Sequence, residues 1–507
     1  MTAAGHGSAP RGRGAPRPLL RGGRGALACG HPLAASAGAA MLTAGGSAAD
    51  AAVAAGAVLC VVLPDACGLG GDVLALVRSA DGTEAGYNGS GAAPAGLGVG
   101  AVPADGAGAA AVPGAIDALA ELHARHGKLS WEAVLAPAVR VALQGMPLTG
   151  DLLTTLERHR GRLERWAAGW GVLEAASAGA GARVRQPELG ALLAAIALEG
   201  PAALYEGVGA EAIGAAAGAH GGALAPADLA AHVTPVRDPV VRSHLGARIS
   251  AQPPVSQALL VLITLGALEA RAPAAGADRA HHLVEALEGA FAHRDAIGAA
   301  SGADALADAE VEIDPARAAR RGGPRGGAHT TAVAAADSDG LVVSMLLSVF
   351  NEFGSAVLVP AGGFLLNDRL HGFTTAENHP GPGRRPVHTL SPLLVAEGDR
   401  VFALCTPGAD GQVQTLSQIL VAVLLEGMTL PGALAAPRWR SSDGMLAVEA
   451  DYDPSVLAEL ARRGHQVKRI PAGAWDFGAA ACAGIDTVTG TTFAATDPRR
   501  EVWGAVV

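Results

Sequence analysis

The chain has 507 residues, of which 50% are hydrophobic and 17% charged, a composition that supports a sizeable core and excludes a disordered chain. Glycine and proline total 70 + 31 = 101 residues without a Gly-x-y period, which excludes collagen. The net charge of −10 and the aromatic content of 3% argue against nucleic-acid binding as the main function.

The N-terminal residues 1–28 are predicted to form a flexible tail. They are rich in Arg, Gly and Pro and contain no apolar stretch of the length that a secretory signal needs. A nucleic-acid-binding arm is the alternative interpretation of this basic segment. The five cysteines of the chain include no C-x-x-C pair, which argues against a disulfide framework or a structural zinc site. We therefore expect a cytoplasmic protein that neither spans a membrane nor binds nucleic acid.

Two helices and a strand are the first regular elements expected after the tail. His31-Pro32 opens a helical segment, and Ser47 or Asp50 can cap the Ala-rich helix that follows. Val73–Arg78 is a short apolar strand followed by a hairpin signal.

The middle of the chain is predicted to be largely helical. Helical patterns dominate residues 113–220, and residues 240–300 are expected to contain two more helices. Residues 322–327 form a Gly/Pro/Arg stretch, which indicates an exposed loop suited to processing. From about residue 328 to 360 the pattern changes to that of strands.

A hairpin in this last region is predicted to bring two hydroxyl groups together. Strands are expected on both sides of the turn Asp337–Gly340. With the turn centred on Ser338-Asp339, Thr330 lies opposite Leu347, and Ser348 lies within one residue of that pair.

A threonine hydroxyl becomes a nucleophile only when a base is close to it. His329 precedes Thr330, but no Asp, Glu or Lys lies beside Thr330 in the sequence. If the chain is cut before Thr330, the new α-amine supplies a base, with a reference pKa of about 7.7–8.0. On physical grounds alone, an ordinary strand threonine is the simpler interpretation.

Short sequence blocks from about residue 29 to residue 500 follow one another in a recognisable order. These blocks are His31-Pro32-Leu33-Ala34, Gly45–Ala52, Gly68–Asp72, Val112-Pro113-Gly114, Pro253–Gln257, His281–Ala286, Phe291–Arg294, His329-Thr330-Thr331, Asp337-x-Asp339-Gly340, Phe353-Gly354-Ser355, Gly363–Asn367, Ala436–Trp439 and Asp497–Arg500. Together they resemble the γ-glutamyltransferase family of N-terminal-nucleophile hydrolases.

The resemblance implies an α+β fold, a four-layer αββα sandwich built as one structural domain from two self-processed segments. It places the cut between His329 and Thr330. The uncut chain would then be a zymogen, with a large-subunit segment over 29–329 and a small-subunit segment over 330–507. The expected assembly is a heterodimer of these two fragments, or a dimer of such heterodimers.

The resemblance also implies roles for four residues in catalysis. Thr330 matches the nucleophile of the family, and Ser348 matches the second hydroxyl that supports it. Gly408 and Ala409 match the pair whose backbone N–H groups hold the oxyanion. Ala409 keeps that N–H provided its φ is negative, and a plain turn is the alternative interpretation of this segment.

Substrate-binding positions of the family fall on Ser90, Thr331, His388 and Thr389. The γ-glutamyl enzymes carry an Arg where Ser90 stands, an Asp where Gly372 stands, and a serine pair in place of His388-Thr389. Without the Arg and the Asp, the chain lacks the family's carboxylate clamp and its counter-charge. We therefore expect a small-molecule amide or γ-glutamyl-type substrate, with glutathione disfavoured as the donor.

The implied reaction is amide hydrolysis or acyl transfer through an acyl-enzyme, with water or an amine as acceptor and no metal or cofactor. Two alternatives stay open. One is a homologue that cleaves a carbon–carbon bond in a natural-product pathway. The other is an unprocessed homologue that binds without catalysis.

Three further motifs receive structural interpretations. Gly68–Asp72 lacks the Gly-Lys-Ser/Thr ending of a phosphate-binding loop. His281-His282 with Glu285 has metal-like spacing, but no H-E-x-x-H motif exists, and we interpret the histidines as structural. Cys405 is interpreted as a buried, inert thiol.

Overall fold

The computed structural model describes residues 14–98, 100, 102–299, 306–321, 323–324, 329–374 and 377–507. The strands in chain order are β1 (Leu20–Gly22), β2 (Gly25–Cys29), β3 (Asp72–Arg78), β4 (Glu84–Gly89), β5 (Met146–Pro147), β6 (Arg183–Val184), β7 (Val236–Arg237), β8 (Val240–His244), β9 (Ala247–Ala251), β10 (Thr331–Asp337), β11 (Val342–Ser348), β12 (Leu358–Val359), β13 (Phe364–Leu365), β14 (Leu393–Glu397), β15 (Arg400–Cys405), β16 (Trp439–Ser442), β17 (Met445–Glu449), β18 (Gln466–Ile470), β19 (Ala481–Asp486), β20 (Thr492–Thr496) and β21 (Trp503–Val506).

The α-helices in chain order are α1 (Pro32–Thr43), α2 (Ala48–Val62), α3 (Ala115–His126), α4 (Trp131–Gln144), α5 (Gly150–Trp166), α6 (Gly171–Ala175), α7 (Pro187–Glu199), α8 (Ala202–Tyr205), α9 (Gly207–Ala219), α10 (Pro226–Ala230), α11 (Leu259–Arg271), α12 (Ala277–Ala290), α13 (Gly411–Leu424), α14 (Leu430–Ala435) and α15 (Pro454–Arg462). No helix of the described residues has the length and apolar character needed to cross a membrane.

Two seven-stranded antiparallel sheets form the middle of the molecule. One has the strand order β1-β20-β19-β15-β14-β9-β8, and the other has the order β21-β2-β10-β11-β3-β4-β7. Between them lies a core that takes small apolar side chains from both, such as Ala334 and Leu346 from one sheet and Leu394 and Ala403 from the other. The sheets therefore pack face to face.

Helices cover both outer faces of this sandwich. Helices α1 to α4 share a core with one sheet, in which α2 packs near Met345. Helices α11 to α13 share a second core with the other sheet, around Ile249 and Phe402. The expected αββα order of layers is confirmed.

Helix α2 shows how the Ala-rich composition serves this packing. Ser47 caps the helix and exchanges hydrogen bonds with Asp50, and all 15 residues of α2 are buried. At Gly56 an added Cβ would lie 3.0 Å from the Met345 Cε atom, so small residues let the helix lie close to the sheet. The two predicted helices and the predicted cap are confirmed.

The predicted hairpin exists, but its register differs by one residue. Thr331, not Thr330, pairs with Leu347. The Asp337 N–H donates to the Leu341 carbonyl, so the loop between the strands has three residues rather than two. Gly340, with φ of +91°, takes the left-handed position that such a loop requires. One further step in this register puts Thr330 opposite Ser348.

Two expectations about disorder and helix content need correction. The predicted tail over 1–28 is wrong for its last part, because Leu20–Gly22 pairs with β20 and β2 pairs with β10 and β21. Residues 1–13 lie outside the described part of the chain. The segment 240–300 contains the two expected helices and also β8 and β9. The predicted loop over 322–327 lies mostly outside the described residues.

Candidate active site

Thr330 lies at the end of the central strand β10, between the two sheets. Its Oγ1 atom donates a hydrogen bond to the Ser348 Oγ atom at 3.3 Å, and both side chains are buried. Because alternate residues of a strand share a face, Thr330 lies on the same side as Ala332 and Ala334, which pack between the sheets. The expected meeting of the two hydroxyls is confirmed.

The peptide bond before Thr330 is held by the same serine. The Ser348 hydroxyl donates to the His329 carbonyl oxygen at 3.2 Å and accepts from the Phe350 N–H at 2.9 Å. A hydroxyl that donates to a carbonyl oxygen polarises the carbonyl and stabilises negative charge that develops there. The hydrogen bond from Ser348 therefore polarises the carbonyl that precedes Thr330.

A cleft of about 660 Å³, open solvent at its mouth included, lies beside this bond. Both His329 and Thr330 line it. Its other walls come from the end of α2, the start of α5 and the last strand region. The lining residues include Gly30, His31, Asp65, Thr149, Asp151, Thr331, Pro407, Trp475, Arg500 and Glu501.

The His329 ring is held between aromatic and acidic groups. It stacks on Trp475 with ring centroids 5.2 Å apart and an interplanar angle of 18°. The carboxylates of Asp65 and Glu352 lie 3.6 and 3.7 Å from its two ring nitrogens. Burial, and secondarily the Glu352 charge, raise the pKa of Asp65 to about 7. These contacts fix the position of the His329 side chain.

Gly408 and Ala409 form a tight loop after β15. Their φ values are +131° and +52°, so the condition of a negative φ at Ala409 is not met. The Gln257 side chain donates to the Ala409 carbonyl, and the Arg440 side chain donates to the Gly408 carbonyl. Both carbonyl oxygens are therefore hydrogen-bonded within the protein. Within the described part of the chain, neither of the two N–H groups donates to a protein acceptor. Both N–H groups are thus available as hydrogen-bond donors.

A buried ionic network lies on the other side of Ser348. Asp72 on β3 is the strand partner of Ser348. Its Oδ2 atom accepts from the Arg369 Nε at 2.6 Å and lies 3.2 Å from the His388 Nε2. Burial raises the pKa of the Asp72 carboxyl. Arg369 and His388 lower this pKa by a larger amount, so its net shift is downward. Burial, assisted by Arg369, lowers the pKa of His388 to about 4.

The four predicted substrate-binding residues lie in different surroundings. Thr331 lines the cleft beside Thr330. His388 belongs to the Asp72 network, and the Ser90 hydroxyl donates to Asn88 at 2.6 Å. Ser90, His388 and Thr389 are not among the described residues that line the cleft. Their roles in substrate binding stay predictions.

One histidine of the pair predicted to be structural, His281, lies in a cluster of potential metal ligands within the described residues. His281, Glu285 and His465 are buried and offer ligand atoms within 4.8 Å of one another. However, the His281 ring is already bonded on both sides, to His465 at 2.8 Å and to the Asp314 carbonyl at 2.8 Å. Neutral rings satisfy these bonds, so hydrogen bonding accounts for the cluster.

Sequence reasoning missed the residues that come from distant parts of the chain. Asp72 lies in the Gly68–Asp72 block, which was matched to the family and weighed as a phosphate loop, but no role was predicted for its carboxylate. Arg369 comes two residues after the block Gly363–Asn367. A charged residue so close to a matched block was the one sequence feature that could have indicated a role for Arg369 in the site. No local pattern connects Asp65 or Trp475 with the bond they surround.

The fold and the site together define an N-terminal-nucleophile hydrolase: an αββα sandwich with a threonine at the head of a central strand. The sequence model of the gamma-glutamyltranspeptidase family matches residues 34–507. The chain belongs to this family.

Two curated proteins and one solved structure are similar over nearly the whole chain. The chain is 32% identical to the oxamate amidohydrolase proenzyme of Klebsiella pneumoniae, over 92% of this chain and 96% of that protein. It is 33% identical to the acylase ACY 1 proenzyme of a Pseudomonas species, over 92% of both. The crystal structure of cephalosporin acylase from Bacillus halodurans has a TM-score of 0.86 and 28% identity, over 99% of this chain and 98% of that one.

Proposed function

We propose that this chain is a self-processing amide hydrolase that cuts its own His329-Thr330 bond and then uses Thr330 as its nucleophile. One observation carries the proposal. The Thr330 hydroxyl bonds to Ser348, and Ser348 in turn bonds to the carbonyl of the bond to be cut. The similarity to two proteins named as proenzymes supports maturation by cleavage.

Self-cleavage follows from this geometry as an acyl shift. The Thr330 Oγ1 attacks the His329 carbonyl carbon, and its proton passes to the Thr330 nitrogen as the C–N bond breaks. Ser348 donates to the oxyanion during this step. Water then hydrolyses the resulting ester, leaving a carboxylate on His329 and a free α-amine on Thr330.

Turnover repeats the chemistry on a substrate amide. The new α-amine takes the proton of the Thr330 hydroxyl, which attacks the substrate carbonyl. The N–H groups of Gly408 and Ala409 hold the oxyanion, and the amine product leaves with the proton. Water then releases the acyl group as an acid. Transfer of the acyl group to an amine is the second outcome of the same intermediate.

The surroundings of Ser90 favour an acyl donor other than glutathione. Ser90 is wholly buried, and its hydroxyl is bonded to Asn88. Position 372 is a glycine, which offers no counter-charge to a substrate amine. The names of the two similar proenzymes, an amidohydrolase and an acylase, support amide hydrolysis on another acyl group.

Intact-mass spectrometry of the purified protein tests the proposal. Wild type is expected as two fragments split between His329 and Thr330, of 329 and 507 − 329 = 178 residues. Thr330→Ala is expected as one uncut chain. Ser348→Ala should self-cleave about 10²–10³-fold more slowly, the loss that follows removal of one oxyanion donor.

Thr489→Ala is the matched control, because Thr489 is exposed in the turn between β19 and β20. It should be cut like wild type. A single uncut chain in wild type would contradict the proposal and favour a binding homologue. Normal cleavage of Ser348→Ala would remove Ser348 from the mechanism.

A further inference from the structure

In the uncut chain the His329 ring occupies a pocket at one wall of the cleft. His329 is 5% exposed, and the cleft of about 660 Å³ lies directly beside it. The ring stacks on Trp475, and the Asp65 and Glu352 carboxylates lie 3.6 and 3.7 Å from its two nitrogens. We call these three surrounding side chains, Trp475, Asp65 and Glu352, the ring pocket. The precursor thus shows what the ring pocket accommodates: a flat ring that carries nitrogen.

His329 stands where the acyl part of a substrate is expected. In the proposed self-cleavage, the Thr330 hydroxyl attacks the His329 carbonyl, which is then released as an acid. During turnover the same hydroxyl attacks the carbonyl of a substrate amide, whose acyl part is also released as an acid. Strand β10 fixes Thr330 in both reactions. The acyl part of a substrate is therefore expected on the side of Thr330 that His329 occupies in the precursor.

Two walls of the ring pocket are held by contacts that do not involve His329. The Trp475 carbonyl accepts from the Arg500 Nε at 3.1 Å, and the Arg500 guanidinium lies 4.0 Å from the centre of the Trp475 ring. The Asp65 carbonyl accepts from the Phe353 N–H at 3.0 Å. Cleavage before Thr330 breaks none of these contacts, so both walls stay in place.

The third wall, Glu352, is held by helix α5. The Arg158 Nη1 lies 3.1 Å from the Glu352 Oε1, and the His159 ring also bonds to this carboxylate. Arg162 donates to the Glu352 backbone carbonyl at 2.9 Å. Glu352 therefore keeps its position and a cationic partner when His329 is absent. The ring pocket is preformed for a ligand that replaces His329.

Cutting the bond makes the ring pocket available to such a ligand. His329 loses its covalent connection to Thr330 and gains a carboxylate at its new end. This negative charge lies within one residue of the carboxyl groups that surround the His329 ring, and like charges repel. The carbonyl of a substrate amide carries no net charge. A substrate is therefore favoured over the cut chain end in the mature form.

We propose that the ring pocket binds a flat, nitrogen-containing ring in the acyl group of the substrate, so that the acyl donor is an amide of a 3-heteroarylpropanoic acid. This rests on the proposed amide hydrolase function. The spacing is that of His329, whose Cα and Cβ atoms separate its ring from its carbonyl carbon. Trp475 stacks on the ring, and Asp65 and Glu352 accept from its N–H groups.

Three p-nitroanilides that differ only in the ring test the proposal. Their acyl groups are 3-(imidazol-4-yl)propanoyl, with a flat ring and an N–H group, 3-phenylpropanoyl, with a flat ring alone, and 3-cyclohexylpropanoyl, with neither. At one fixed pH, cut wild type should favour the imidazolyl over the cyclohexyl donor at least about tenfold in kcat/KM. The phenyl donor should lie between them. The shared leaving group cancels its own contacts.

Trp475→Leu should abolish the preference for the phenyl over the cyclohexyl donor, chiefly through KM, because it removes the stacking face. Asp65→Asn should lower the preference for the imidazolyl over the phenyl donor severalfold, because it replaces a charge-bearing acceptor by an amide. Trp503→Leu is the matched control. Trp503 is 47% exposed on β21 and is not among the described residues that line the cleft. This variant should keep the wild-type order.

Equal kcat/KM values for the three donors in cut wild type, or an unchanged order in Trp475→Leu, would overturn the assignment. Should Trp475→Leu fail to fold or to cleave itself, the order in wild type and in Trp475→Phe decides, since phenylalanine keeps a flat face and should retain part of the preference.

If cut wild type hydrolyses none of the donors, calorimetric titration with 3-(imidazol-4-yl)propanoate decides instead. Binding to cut wild type that Trp475→Leu loses supports the ring pocket. No binding to wild type, or equal binding to the variant, overturns it. A wild-type chain that is not cut defeats the proposed function itself, whereas a cut chain with neither the donor order nor the binding defeats only the ring pocket.

Discussion

At the scale of single residues, Asp65 is a buried carboxyl beside the His329 ring with a strongly raised pKa. Its carboxylate lies 3.6 Å from the His329 ring, and after burial the charges of Glu352 and Asp151 raise its pKa further. Its pKa of about 7 means that the folded uncut chain keeps a proton that an unfolded chain releases near pH 4. The stability of the uncut chain should therefore depend on pH.

The sign of this dependence follows from linkage. Between about pH 4 and pH 7 the folded state binds more protons at Asp65 than the unfolded state does, so the free energy of unfolding falls as pH rises and levels off above pH 7. For an isolated group with this shift, the free energy of unfolding falls by about 4 kcal/mol across this pH range. Thermal unfolding of Thr330→Ala against Thr330→Ala/Asp65→Asn, from pH 4 to pH 8, measures it.

The Asp65→Asn change should remove this decline, because an amide does not titrate. Asp339→Asn in the same background is the control, since Asp339 is exposed and pairs with Lys128 at the surface. Parallel pH profiles for the Asp65 variant and its parent would refute the assignment.

At the residue scale, what the sequence could predict was set by distance along the chain. Thr330 and Ser348 are 18 residues apart in one hairpin, so turn chemistry alone was enough to bring them together. Arg369 and Asp72 are 297 residues apart, and their contact depends on how a distant loop packs against strand β3. The positive φ of Ala409 could not be read from the sequence, because such a value is unfavourable for alanine and only the surrounding loop imposes it.

At the scale of elements, the turn of the central hairpin is linked to the start of helix α2. The buried Asp337 carboxylate accepts from the N–H of Ala48 in the first turn of α2, at 2.7 Å. It also accepts from the N–H groups of Asp339 and Leu341 within the loop. A carboxylate at a helix N-terminus is further stabilised by the helix dipole. One side chain therefore joins the hairpin to the helix that packs on it.

Asp337→Ala is expected to destabilise the protein by about 2–4 kcal/mol, because it removes hydrogen bonds to a charged group and leaves buried N–H donors unpaired. Asp339→Ala, two residues away in the same turn, removes a surface ion pair and should cost less than about 1 kcal/mol. Thermal unfolding of both in the Thr330→Ala background compares them. Equal losses would show that Asp337 does not join hairpin and helix as described.

The elements that could be predicted from the sequence are marked by short local patterns, and the elements that were missed have no such pattern. The cap at Ser47 and the turn at Asp337–Gly340 are each determined by a few neighbouring residues. Strand β1 is only Leu20–Gly22, and its partner β20 lies more than 460 residues further along the chain. Its order depends on that distant pairing, so an Arg/Gly-rich stretch that resembles a tail is a strand.

At the scale of the whole molecule, both sheets contain strands from both sides of the His329-Thr330 bond. Strand β10 pairs with β2, and β11 pairs with β3. In the other sheet β14 pairs with β9, and β20 pairs with β1. Cutting one bond removes none of these pairings.

The two fragments of the cut protein are therefore expected to stay together. They should co-elute as one species in size-exclusion chromatography under native conditions and separate only in concentrated guanidinium chloride. The uncut Thr330→Ala chain, of the same mass, is the elution standard. A small fragment that elutes alone from native wild type would contradict the interleaved sheets.

Because each sheet contains strands from both sides of the bond, it also matters whether the chain folds before or after it is cut. A single chain folds with its partner strands tethered, so their meeting is intramolecular and costs only loop closure. Once the chain has been cut, the same pairings need two separate molecules to find each other, and the translational entropy of a second particle is added. On the proposed cleavage, the two fragments would keep a strand pairing formed in the uncut chain, and refolding after separation would have to restore it without the covalent connection.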